Sequence, residues 1–287
     1  MSKFVLLVET GSDIPAEMAQ RYGIYTVPMH VAFGEDSRDD GTFPAEDIYR
    51  YFEKTGKLTQ TSGCTPTDFE VLFDELHAKH PDAHLLYLAY SSVTTCSFQS
   101  AQIAVEGREY VTAIDTKQVS VGQGMIVVEV AKLLKANPDM TLDEAVAAAN
   151  EIIGRANMCF LPDNLEFLRA GGRVSNVVAL VGGLLGIKPC IEILDGKLMA
   201  TKKFRGKMEK VAVQMIREYA DKYALDRKEL WFVYTVGLSD EVRRAAEQAA
   251  RDAGFAAVQW IRANGVITTH GGPAAFGMAG FTPRSAG

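Results

Sequence analysis

Short, continuous apolar runs alternate along the chain with stretches in which apolar positions return at helical period. Phe4–Val8, HLLYLAY from His84, YVTAID from Tyr110 and MCFLP from Met158 read as strands. Their lack of a polar face is the pattern of strands covered on both sides. Between them, helices are expected over Ile14–Tyr22 (closed by Gly23), Pro44–Lys54, Ser97–Glu106 and Gly124–Lys135. Two T-x-x-E patterns, Thr67 with Glu70 and Thr141 with Glu144, read as capping boxes opening helices to about Lys79 and about Arg155. Further on come a helix Asn164–Ala170, a break at GGR, and IKPCIEILDGKLMA, a hairpin turning at Asp195-Gly196. An amphipathic helix Met208–Tyr223, strand LWFVYTVG, helix Glu241–Ala253 and strand AVQWI complete the pattern. The expected fold class is α/β, with an N-terminal parallel sheet flanked by helices and a smaller C-terminal α/β domain. The boundary is placed near residue 160, giving domains 1–160 and 161–287.

One stretch breaks the periodicity. KLTQTSGCTPTDFE, residues 57–70, gathers Thr59, Thr61, Ser62, Cys64 and Thr65 with no basic residue among them. Nothing apolar lies between Thr59 and Pro66, so it is read as a loop leading into a helix, not a strand. Similar small polar residues follow other strands: ETGSD after the first, SSVTTCS after residues 84–90, DTKQVSVGQG after residues 110–115. VITTHGGPAAFG sets His270 before a Gly-Gly-Pro turn. Singly these are ordinary caps and turns. In an open α/β sheet, however, ligands bind beyond the carboxyl ends of the strands, which is where they converge.

Charge narrows the ligand. Lys and Arg total 30 against 36 Asp and Glu, a formal net charge of −6 with no basic block. That argues against nucleic acid, whose phosphates call for clustered cations. There is no G-x-x-x-x-G-K-[ST] loop and no G-x-G-x-x-G after the first strand, so neither a nucleoside triphosphate nor a dinucleotide is indicated. A carboxylate held by hydroxyl and amide donors fits the inventory better. Cys64, Cys96, Cys159 and Cys190 are widely spaced, which reads as reduced thiols in a cytoplasm, with no zinc site. The start, MSKFVLLVETGSD, reads as a buried strand and not a signal peptide, and VVALVGGLLGI is about half the length of a membrane span.

Eight stretches, in order and spacing, resemble the DegV family of bacterial fatty-acid-binding proteins. They are SDIPAEMAQRYGI, TSGCTP, SSVTTCSFQSA, AIDTKQVSVGQG, FLRAGGRVS, LLGIKPCIEILDGKL, FRGKMEKV and THGGPAAFG. The resemblance implies a two-domain α/β carrier that is not an enzyme and needs no cofactor or metal. It would hold one long-chain fatty acid between its domains and present the carboxylate to a fatty-acid kinase, which forms an acyl phosphate for phospholipid synthesis. By motif position the implied carboxylate-binding residues are Thr61 and Ser62, Ser91, Ser92 (foremost of the serines) and Thr95, and His270. Arg173 and Arg205 resemble the kinase-facing residues, and NVVALVGGLLGI is the candidate tail wall. The chain departs from the family pattern at Glu9, Cys64, Val93, Cys96 and Ala274. The rival reading is a thiol-dependent acyl hydrolase or transferase, with Cys64 or Cys96 as nucleophile beside His270.

Overall fold

The computed structural model describes residues 3–163, 165–172 and 186–284. Its first unit is a parallel sheet in the order β2-β1-β6-β7, formed by β1 (Phe4–Glu9), β2 (Ile24–Val27), β6 (His84–Ala89) and β7 (Val111–Asp115). Helices α1 (Ala16–Tyr22), α3 (Pro66–Lys79) and α4 (Ser97–Val105) connect or flank these strands. A small antiparallel sheet, β4-β3-β5, combines β3 (His30–Phe33), β4 (Asp36–Asp39) and β5 (Gln60–Ser62), with α2 (Glu46–Thr55) between the last two. Thus part of the polar stretch read as loop is a strand. Gln60–Ser62 pairs with His30–Ala32, and the pairing partner, not local side-chain preference, decides its conformation.

The second unit is a mixed sheet in the order β10-β9-β8-β13-β11-β12. It contains β8 (Ala156–Leu161), β9 (Ile187–Leu194), β10 (Lys197–Arg205), β11 (Glu229–Tyr234), β12 (Ala257–Arg262) and β13 (Phe276–Phe281). The strand expected to finish the N-terminal half, β8, therefore belongs to this second sheet. Its flanking helices are α7 (Leu165–Ala170), α8 (Met208–Lys222), α9 (Asp240–Asp252) and α10 (Gly265–Gly271). The β9–β10 hairpin turns at Asp195 and Gly196, with φ of 48° and 81°, the two positive values that an Asp-Gly turn of this kind requires.

Helix α5 (Ser120–Ala136) joins the two sheets, and α6 (Leu142–Arg155) packs beside it. Residues 120–128 are buried without interruption, the signature of a helix with no solvent face. On one side α5 meets β1 and β6, and on the other β8, β11 and β13. One core accordingly contains Leu6, Val8, Leu86 and Leu88 of the first sheet together with Trp231, Val233, Ile261 and Ala279 of the second.

Capping chemistry sets two helix starts. The Thr141 and Glu144 box forms as expected: the Glu144 N–H donates to Thr141 Oγ1 and the Thr141 N–H to Glu144 Oε2. In α3 the box sits two residues earlier than expected, on Thr65 and Asp68, with Pro66 in the first turn. Asp68 substitutes for the anticipated Glu70 because it stands three residues after the threonine that precedes Pro66.

Candidate functional site

The polar stretch resolves into separate tasks. Thr59 Oγ1 lies 3.0 Å from Thr269 Oγ1 in a buried contact. Thr61 Oγ1 lies 2.8 Å from His270 Nε2. Cys64 sits in the core and donates its N–H to Ser97 Oγ at 3.1 Å, while Thr65 caps α3. Only Thr61, Ser62 and Gly63 of this stretch face a cavity, whose empty volume, open mouth included, is about 860 Å³.

The cavity lies between the two sheets. Thr61, Ser62, Gly63, Thr94, Thr95, Ser120 and His270 supply hydroxyls, backbone groups and an imidazole. Thr95 Oγ1 approaches the Gly63 backbone, so the β5 stretch and the loop after β6 meet at one place. The remaining walls are mostly apolar, from Met29, Val119, Met158, Phe160, Leu168, Leu198, Val233, Ile267 and Phe276 among others, with Tyr90, Tyr234 and Thr235 also lining them. Leu198 and Leu168 show that the hairpin and α7 contribute to the second wall.

Two of the expected residues lie elsewhere. Ser91 is fully buried and its hydroxyl donates to the Gly196 carbonyl at 2.8 Å, fastening the hairpin turn to the loop after β6. Beside it, Lys117 and Asp195 pair at 2.9 Å. Ser92 Oγ donates to Asp115 Oδ2 at 2.5 Å and its N–H to Asp115 Oδ1 at 3.3 Å. Neither serine lines the cavity, because each hydroxyl is drawn to a stronger acceptor at the sheet edge. Thr61, Ser62, Thr95 and His270 do line it. Arg205 is exposed at the end of β10. Arg173 and most of NVVALVGGLLGI lie outside the described residues.

Three buried acids support the site from below: Glu9, singled out above only as a departure from the family pattern, and Asp13 and Asp40, which sequence reading passed over. The Glu9 carboxylate is wholly enclosed, accepting from the Tyr87 hydroxyl, from Gln123 Nε2 at 2.8 Å and from the Tyr90 N–H at 3.0 Å. Asp13 accepts Ser120 Oγ at 2.5 Å and the Asn264 N–H at 2.7 Å, and Asp40 accepts the Val266 N–H at 3.1 Å. Both therefore hold the first turn of α10, the helix that carries His270 in its last turn. Burial pushes all three carboxyls above their ordinary range, Asp13 well above, where the charge of Asp40 adds to the effect. For Glu9 a signal existed: an acid ending an apolar strand. Asp40, inside SRDDGT, reads as an ordinary surface turn.

Neither thiol of the rival reading, Cys64 or Cys96, lines the cavity beside His270. Cys64 packs among Val27, Phe69 and Tyr87, and burial pushes its thiol well up, away from the reactive thiolate. Cys96 is exposed and, like Cys64, stands apart from the cavity walls. Among the described residues, no group of His, Cys, Asp and Glu side chains could hold a metal ion, and no helix is long and apolar enough to cross a membrane.

Comparison with known proteins agrees with this architecture. The family model described as "Uncharacterised protein, DegV family" matches residues 3–282. A DegV domain-containing protein of Caldanaerobacter subterraneus is 29% identical over 285 residues, covering 97% of this chain and 98% of that one. A structure of a DegV family protein from Thermus thermophilus, described as fatty-acid binding, superposes with a TM-score of 0.87 at 26% identity, covering 99% of this chain and 100% of the other. DegV of Bacillus subtilis, described as a fatty acid binding protein, shares the fold with a TM-score of 0.82 at 22% identity, covering 98% of this chain and 100% of the other. With a match running from the first strand to the last, this chain belongs to the DegV family.

Proposed function

We propose that the chain binds a long-chain fatty acid in this cavity, with the carboxylate at Thr61, Ser62, Thr95 and His270 and the acyl chain along the apolar walls. The observation that carries the reading is the division of one cleft into a cluster of hydroxyls with an imidazole and an otherwise apolar lining. Each buried methylene contributes ~0.8 kcal/mol. A buried carboxylate is costly unless hydrogen-bonded, and charge-assisted bonds of about 1.5–3 kcal/mol each offset that cost. The fatty-acid binding described for the Thermus relative supports the same ligand class. A fatty acid is ionised at neutral pH, so His270 has no proton to abstract; it orients Thr61 or donates to the carboxylate. In this reading, residues up to about 160 supply the hydroxyls, and the remainder supplies His270 and closes the acyl pocket. Native mass spectrometry of freshly purified protein is expected to find one co-purified fatty acid. Absence of that mass, together with no saturable binding of palmitate to delipidated protein, would overturn the assignment.

The second part of the proposal concerns presentation. The bound carboxylate is offered, in the cytoplasm, to a fatty-acid kinase that converts it to an acyl phosphate for phospholipid synthesis. In this reading the contacts to that partner are made by Arg205, exposed on the hairpin, and by Arg173 of the GGR stretch. Arg205→Ala is expected to slow kinase-dependent acyl-phosphate formation while leaving palmitate affinity at the wild-type value. Lower affinity with undiminished kinase turnover would reverse the two roles.

A further inference from the structure

His270 is held on two edges. Nε2 meets Thr61, as described, while the opposite edge of the ring lies against Gly171. A Cβ built on Gly171 would fall 2.3 Å from His270 Nδ1, 3.1 Å from Cε1 and 3.4 Å from Cγ. The contact is reciprocal. One step along, Phe167 of α7 packs onto Gly272, where a Cβ would fall 2.9 Å from its ring. The end of α7 and the end of α10 are thereby interlocked through two glycines, each accepting the other helix's ring. Gly172, next in the chain, closes α7 with a φ of +65° and its N–H donating to the Arg169 carbonyl, yet a Cβ there would meet nothing.

We propose that Gly171 is a positioning residue for His270: its bare Cα sets the imidazole in the one orientation in which Nε2 reaches Thr61. Gly171 does not have the positive φ of Gly172, so alanine at 171 is opposed by the ring and not by the backbone. Relieving a 2.3 Å Cβ–Nδ1 approach requires the ring to shift, and a shift away from Gly171 disturbs the 2.8 Å contact of Nε2 with Thr61. The consequence for ligand rests on the fatty-acid reading above, whereas the ring geometry does not.

The test uses ligand-free protein first. Gly171→Ala should change the ¹⁵N shifts and tautomer balance of the His270 ring, while Gly172→Ala, which strains the same helix end without touching the ring, should not. Equal changes in both variants, or none in Gly171→Ala, overturn the proposal. Thermal unfolding adds a rescue: Gly171→Ala should lower Tm, and His270→Ala in that background should restore part of the loss by removing the clash. A double variant no more stable than Gly171→Ala overturns it, including where Gly171→Ala folds poorly. Palmitate titration then separates the two readings. If palmitate binds wild-type protein, Gly171→Ala should weaken it as His270→Ala does, the pair being non-additive, and full additivity counts against the positioning role. If palmitate does not bind at all while the ring shifts still respond, the ligand assignment fails and the positioning role stands.

Discussion

On the proposed function, Thr61→Ala is expected to weaken binding of a long-chain fatty acid by about 1–3 kcal/mol, roughly five- to 150-fold, the loss when a buried anion is deprived of a hydroxyl donor. The upper part of that range is expected because one substitution removes two things: a hydroxyl on the cavity wall and the partner of His270 Nε2. Ser92→Ala is the informative contrast. Its hydroxyl belongs to Asp115 and does not reach the cavity, so affinity should stay near wild type despite equal removal of one oxygen. Calorimetric titration of both variants decides the matter. Wild-type affinity in Thr61→Ala, or a larger loss in Ser92→Ala, would move the carboxylate to a different part of the cleft.

The second large effect is on stability. Glu9, Asp13 and Asp40 have carboxyls whose proton affinity is raised by burial. Above about pH 4 an unfolded carboxyl has lost its proton while these three, in the native state, still retain theirs over part of the range. The native state then binds more protons than the unfolded one, so stability falls as pH rises through that window. Each tenfold increase in proton affinity corresponds to about 1.4 kcal/mol, and three groups act in the same direction. Exposed acids behave oppositely. Asp74, held down by the Arg108 guanidinium, and Glu144, held down by the Thr141 N–H, contribute stability that is lost only as pH falls below about 4. The urea midpoint is therefore expected to decline as pH rises above the unfolded carboxyl range, about pH 4. Asp13→Asn should flatten the decline, since an amide oxygen still accepts the Asn264 N–H and the Ser120 hydroxyl can turn to accept. A midpoint that rises over this range, unaltered by Asp13→Asn, would show that the buried acids are ionised in the native state at neutral pH.

How much of this was legible in the chain depended on whether a local signal existed. FVLLV and HLLYLAY declare buried parallel strands because their apolar residues run on without a polar face, and Asp195-Gly196 declares a turn because few other pairs accept two positive φ values. β13 was invisible for the opposite reason. Its sequence, FGMAGF, is rich in glycine and alanine, and Gly277 is small because a Cβ would fall 2.9 Å from both Phe160 Cβ and Val233 Cγ1. What reads as a loop is a strand pared down to fit its neighbours. In the site, hydroxyl-rich loops told which segments gather but not which way each hydroxyl points. Thr61 and His270 face one another, yet Ser91 and Ser92, equally rich in promise, turn to Gly196 and Asp115. Asp40 joins the site through a distant backbone N–H on α10, a relation that no sequence spacing encodes.

The place of β13 in its sheet has a consequence for how the molecule comes into being. β13 lies between β8 and β11, both of which precede it in synthesis. Until it arrives, those two strands each leave an edge unpaired, and the face that α5 must cover is incomplete. The Thr61–His270 contact closes across 209 residues, among the longest-range pairings in the chain, and such contacts form late because loop closure must precede them. A nascent or partly unfolded chain can therefore possess the parallel N-terminal sheet and still have no binding site at all. On the proposed function, ligand capture is then reserved for molecules whose assembly has finished, and occupancy by ligand would itself report that folding is complete.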